Sequence, residues 1–364
     1  MLGDTVTGRV SGYDSDHEAL RASVRQFLER EVVGHLGEWS EGSIPNTAWH
    51  RAGEDGFLGF GIAEEFGGVG IADPRYTAVI VSEAMRVGAT SIALSVVRHA
   101  AVVSALSANR ELAERWLPRA AGGEIRTAVV GLDAPLLASE SAGGMLVDGL
   151  APAVVNGAVA ELFLVVVDNA GAELLIAVDG SATGVERFDS AGLLGLPAAG
   201  VAAINFASAA GAVVSSDPAT VMRLRAEEAL GLGIAASAGA ATALDIAVDY
   251  VKARKVFGRP LASFENTRFA LADVAVQVSS VRALLDTCLM ERTAAPLPSA
   301  RAAALALAAT GANVAAADAA LQLHGGYGYM REYPIAQAFA DARYLRLLAT
   351  GVTPHELIAN ALGL

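Results

Sequence analysis

Two phrases in the last third of the chain hold residue types at spacings that could do chemistry. The first runs Ala253-Arg254-Lys255-Val256-Phe257-Gly258-Arg259-Pro260-Leu261. The second runs from Gln322 through His324-Gly325-Gly326-Tyr327-Gly328 to Pro334. Arg254 stands just ahead of a Phe-Gly-x-Pro turn, and its planar fork suits bidentate donation to a phosphate. In Gly325-Gly326-Tyr327-Gly328 the missing side chains let backbone amides approach a ligand. On its own a Gly-Gly-x-Gly reads first as the C-cap of a helix. Glu227 and Glu228 form a third feature. They open a helical run, where acids are also favoured by the helix dipole.

These residues need rigid elements to hold them. From Ala219 to Ala253 the pattern is helical and free of proline, a rod of roughly 50 Å at 1.5 Å per residue. Phe269 to Met290 and Ser299 to Leu323 read as two further helices. Pro334 suits the first position of a fourth, running to about Leu348. Ala and Gly dominate their faces, so the four can pack closely as a bundle. Nearer the N-terminus, residues 1 to 13 show no periodicity. Leu20, Val24, Phe27, Leu28 and Val32 then fall on one helical face, with Asp16 placed to cap it. A short helix around Trp49 and His50 follows, then a Gly-rich stretch through Gly67-Gly68-Val69-Gly70, a helical run over 73–107, and another over Arg110 to Arg119. From Thr127 the period becomes that of strands: Thr127 to Gly131, Glu161 to Val167, Glu173 to Val178 and Val201 to Phe206.

With 364 residues, the chain suits two or three structural domains. A net charge of −13 and the absence of a long Lys/Arg run argue against a nucleic-acid groove or an anionic membrane surface. A local patch for an anionic ligand remains open. Cys288 is the single cysteine, so an intrachain disulfide and a cysteine zinc site are both excluded, and no metal is expected. One thiol suits a reducing compartment, and no signal peptide is visible, so the expected location is the cytoplasm. The most apolar stretches, such as 229–247, are broken by Asp or Thr and read as buried bundle helices.

Taken together, the two phrases and the helical run between them resemble the C-terminal domain of the flavin-dependent acyl-CoA dehydrogenases. The first 125 residues resemble the family's helical N-terminal domain, with Trp116-Leu117-Pro118 and Gly123-Glu124 at matching spacing. The resemblance implies a mainly α fold with a small β-domain: an N-terminal helical domain (1–125), a shortened middle β-barrel (126–216) and a C-terminal four-helix bundle (217–364). It implies FAD as cofactor, an acyl-CoA substrate and α,β-dehydrogenation of the thioester. Arg254 and Phe257 would touch the FAD of a neighbouring subunit. Gln322, Gly325 and Gly326 would lie near its pyrophosphate and adenosine. Glu265 departs from the family's Gln.

The family's usual base, a Glu near the C-terminus, falls here on Ala349 or Thr350, neither an acid. A minority of the family places its base on the first long C-terminal helix, 26 residues before the Arg of the first phrase, and that count reaches Glu228. There the carboxylate would face the cleft between bundle and β-domain. The flavin-covering motifs of the middle domain are missing: the corresponding text is Gly131-Leu132-Asp133-Ala134-Pro135 and Ala153-Val154-Val155-Asn156-Gly157. That asymmetry suggests one chain of a heteromeric enzyme, similar to those of actinobacterial sterol-side-chain and fatty-acyl breakdown, with an electron-transfer flavoprotein as acceptor. The alternatives are a homotetramer using Glu228 and a non-catalytic assembly or regulatory subunit that binds no flavin of its own.

Overall fold

The computed structural model describes residues 12–39, 43–141, 144–189 and 192–364. The aperiodic N-terminal stretch therefore lies outside the described residues up to 11. Helix α1 (Ser15–Glu31) is capped by Asp14, not Asp16: the Asp14 carboxylate accepts from the Asp16 and His17 amides, while the His17 ring returns to the Asp14 amide. Short helices α2 (Leu36–Trp39) and α3 (Asn46–Glu54) lead to α4 (Pro74–Arg86), α5 (Thr90–Leu106) and α6 (Arg110–Ala121). The helical run over 73–107 is thus two helices. Between them Gly88 adopts φ +78°, which a side chain would disfavour.

Helix α5 is the centre of the molecule. Fifteen of its residues are buried, on every side, between α4, α7 and strand β1. A helix apolar all round belongs in a core, and its few polar side chains then need partners. Ser95 donates to Asn156 Oδ1 at 2.8 Å. The His99 ring meets the Leu58 carbonyl at 2.7 Å. Arg98 pairs with Glu228 on α7.

Among the described residues the middle region has seven strands: β1 (Thr127–Val130), β2 (Leu136–Ser141), β3 (Gly144–Val154), β4 (Leu162–Asn169), β5 (Ala172–Asp179), β6 (Val185–Asp189) and β7 (Ala202–Ser215). The pairings β4-β2-β3-β7-β5 return to β4 and so close a small barrel, with β1 alongside β4 and β6 alongside β7. Phe163, Val165, Ile176, Ile204 and Phe206 fill its interior. The loop 131–135 passes directly into β2.

The last part holds α7 (Pro218–Ala253), the hairpin β8–β9 (Lys255–Val256, Arg259–Pro260), α8 (Glu265–Ala294), α9 (Ser299–His324), α10 (Pro334–Ala349) and a short added helix, α11 (Val352–Ala361). Glycines set how closely α7 packs. A Cβ on Gly231 would lie 2.3 Å from Val97 of α5, and one on Gly233 2.6 Å from Leu305 of α9. Helix α7 and the α9 segment are long and apolar enough to cross a membrane. Both are packed against each other within the bundle.

Candidate active site and cofactor cleft

Glu228 lies ten residues into α7, beyond the first turn where the helix dipole would account for an acid. It is 2% exposed. Its side chain faces α5, which itself packs against strand β1, and one carboxylate oxygen, Oε2, meets Arg98 Nη1. Beyond this ion contact, neither carboxylate oxygen nor Arg98 Nη1 makes a hydrogen bond among the described residues. Glu227, one position earlier, turns about 100° round the helix to Arg292 of α8, at 2.6 Å. Burial lowers the pKa of Arg98 to about 10, so it stays protonated at neutral pH. Burial also raises the phenol of nearby Tyr344, on α10. Val97, Ala226, Leu230, Tyr344, Leu345 and Ala349 belong to one buried cluster. The helix position of Glu228 and the C-terminal position of Ala349 therefore border the same interior.

A second site lies at the far end of the bundle. The C-terminal end of α7, the hairpin and the turn after α9 enclose an open cleft of about 410 Å³. Arg254, Gly325 and Gly326 line it, together with Tyr250, His324, Tyr327 and Met330. Gln322 is exposed beside it, and Phe257 stands 93% exposed at the hairpin tip; neither lines the cleft. The lining aromatics were missed in the sequence reading, although the run of Tyr and His around the glycines was the available signal. Tyr250 stacks on His324 with ring centroids 3.8 Å apart, and its hydroxyl donates to the His324 carbonyl at 3.3 Å. Burial keeps the His324 pKa below its ordinary value, so the ring is neutral at pH 7.

Arg254 lies over the Tyr327 ring, 5.2 Å from its centroid, and pairs with no carboxylate among the described residues. The only two lysines of the sequence, Lys252 and Lys255, flank it. In a chain of net charge −13, that makes a local cationic lip. Gly325 adopts φ +59°, and a Cβ there or at Gly326 would meet open space. An unpaired guanidinium, glycine backbone and aromatic faces suit the phosphate and adenine part of a dinucleotide. Glu265, which replaces an amide, begins α8, where an acid is favoured by the helix N-terminus.

The barrel offers much less to a flavin ring. Ala153 and Val155 carry no hydrogen-bonding side-chain atom. Asn156, at φ +63°, is already engaged: Ser95 donates to its Oδ1, and its Nδ2 donates to the Thr127 carbonyl at 3.0 Å. In the loop after β1, the Asp133 carboxylate sits against Gly351 at the start of α11, where a Cβ would lie 2.1 Å from Oδ2. The cleft residues fit their share of FAD, whereas segment 153–157, where a flavin-covering motif would fall, offers only the already engaged Asn156 side chain.

Residues 14–124 match the family model "Acyl-CoA dehydrogenase, N-terminal domain", and residues 219–353 match "Acyl-CoA dehydrogenase, C-terminal domain". The chain is 29% identical over 375 residues to the mitochondrial long-chain specific acyl-CoA dehydrogenase of Mus musculus, covering 96% of this chain and 86% of that protein. It is 26% identical to the (2S)-methylsuccinyl-CoA dehydrogenase of Cereibacter sphaeroides, covering 93% of this chain and 67% of that one. The crystal structure of an acyl-CoA dehydrogenase from Geobacillus kaustophilus superposes with a TM-score of 0.90 at 27% identity, covering 98% of this chain and all of that one. The fold is that of a flavin-dependent dehydrogenase with three structural parts. The chain belongs to the acyl-CoA dehydrogenase family, a family of FAD-dependent oxidoreductases.

Proposed function

We propose that this chain is one subunit of a cytoplasmic acyl-CoA dehydrogenase built from two related chains, acting on thioesters of fatty-acyl or sterol-side-chain type. One observation carries this reading: the cleft around Arg254 and Gly325 is formed, while segments 131–135 and 153–157 lack the family's flavin-covering motifs. Such a subunit would lend Arg254 and the glycine turn to a cofactor seated mainly in its partner. Bound FAD supplies the hydride acceptor of α,β-dehydrogenation, and an electron-transfer flavoprotein would reoxidise it. The α-proton of a thioester is a weak acid, so its removal needs a desolvated carboxylate with a free lone pair. Glu228 meets both requirements, with its buried side chain and unpartnered Oε1.

The purified chain alone should carry little or no FAD, and co-expression with a second dehydrogenase-like chain should yield a stoichiometric flavoprotein. A fully flavin-loaded chain on its own would overturn the two-chain reading in favour of a homotetramer. In the assembled enzyme, Glu228→Gln should slow flavin bleaching by acyl-CoA about 10²–10⁴-fold, while Glu227→Gln should stay near the parental rate. Equal rates in both variants would remove Glu228 as the base and point to the partner's own carboxylate.

A further inference from the structure

Several carboxylates in this protein are held by arginines, and one is held differently. On α4, Glu83 has both oxygens bonded, to Arg21, Arg25 and Arg86. In β5, Glu173 is gripped by Arg225 at 2.6 and 2.7 Å. Those two are satisfied structural pairs. Glu228 is as deeply buried as Glu83, yet its one partner is the ion contact of Oε2 with Arg98, and neither oxygen accepts a hydrogen bond among the described residues. A buried carboxylate held by one ion contact and no hydrogen bond costs stability and is rare where structure is the only purpose.

We infer that Arg98 is a positioning residue for Glu228: its guanidinium keeps this carboxylate ionised and turned toward α5, leaving Oε1 free to take a proton. The physical need is plain. Burial in an apolar junction drives a lone carboxylate toward its neutral form, which cannot act as a base, and an adjacent cation opposes that. Arg98 can do this because it remains charged despite its own burial.

Among the described residues, no other charged or titratable group is free to substitute. Tyr344 of α10 is held protonated by burial. Asp341 of α10 is turned away, accepting from the Leu196 amide and Gln337. On α7 itself, Arg225 is committed to Glu173 and Glu227 to Arg292 of α8. From α4, Glu83 is occupied by its arginines. From α9, Arg301 pairs with Glu291 and Asp318 with Arg343. The catalytic meaning of the pair rests on Glu228 being the base, whereas its effect on ionisation does not.

The test uses the full chain and, for kinetics, the enzyme assembled with its partner. Infrared difference spectra at pH 7, each variant against its Glu228→Gln counterpart, report whether Glu228 is protonated. The protonated-carboxyl band should be absent in the parent and in Arg98→Lys, and present in Arg98→Met. The same band in the parent and in Arg98→Met, or its absence from both, overturns the inference. If Arg98→Met does not fold, Arg98→Met/Glu228→Gln should, because it removes both charges of the pair; Arg98→Lys then carries the comparison, and a protonated Glu228 beside the lysine would count against Arg98. In the assembled enzyme, the acid limb of acyl-CoA oxidation should move about two pH units higher in Arg98→Met and return with Arg98→Lys. An infrared change without any movement of the acid limb supports the role of Arg98 and removes Glu228 as the base, so the two readings fail separately.

Discussion

Glu83 allows a stability prediction with a magnitude and a sign. It sits on α4, 2% exposed, and ties α1 to α4 through Arg21 and Arg25 while Arg86 closes the group. Burial pushes its pKa up, but the bonds from Arg25, Arg86 and Arg21 outweigh that and hold it at about 2, against an ordinary 4.5. That difference corresponds to about 3 kcal/mol of folding free energy. Because the folded pKa lies below the unfolded one, the contribution is fully present above about pH 4.5 and is lost as the pH falls toward 2. Glu83→Gln should therefore cost about 3 kcal/mol at pH 7 and almost nothing at pH 2. The three arginines are 19%, 47% and 47% exposed, so water can take over their hydration in the variant. All three tryptophans, at 39, 49 and 116, lie in the N-terminal helices. Their fluorescence during urea unfolding, at a series of pH values, reads this part of the chain, and urea leaves the ion pairs unscreened. A penalty that stays constant from pH 7 to pH 2, or one below about 1 kcal/mol at pH 7, would refute the reasoning.

Two further outcomes follow from the cofactor cleft and the loop after β1. Arg254→Gln should leave unfolding of the isolated chain unchanged, since the guanidinium has no acidic partner, yet weaken FAD retention by the assembled enzyme about 10- to 100-fold, the usual worth of a charge-assisted bond; flavin release on dilution measures this, and unchanged retention would take Arg254 out of the cofactor site. Gly351→Ala should force Asp133 away from the start of α11 and lower the unfolding midpoint, and Asp133→Ala in the same chain should recover most of the loss. A thermal melt of the three variants decides it.

The long helices were legible because their signals are local. The Ala-rich period, Pro334 at a first helical position, and the break at Arg254 and Gly325 need no knowledge of the rest of the chain. The two phrases converge because they end adjacent helices, so Arg254, Gly325 and Gly326 line one cleft. Strands β2, β3 and β6 were not legible. The first and last are largely exposed and polar, and β3 carries Gly149 and Pro152, residues that argue against a strand until a bulged pairing with β7 accommodates them. The break at Gly88 was hidden because the residues on either side are apolar and continue the helical period.

What the sequence by itself determined is the type and order of the main elements and the position of one acid on α7, 26 residues before Arg254. Periodicity and fixed spacing within a helix are enough for that. Only the tertiary structure decided which way Glu228 faces and what meets it. Arg98 lies 130 residues earlier, in a helix that reads as plain apolar core, and it reaches Glu228 because Gly231 lets α5 and α7 come close enough for the pair to form. A charge partner across a helix–helix contact leaves no periodic trace, since what it depends on is the distance between two backbones rather than the spacing along one.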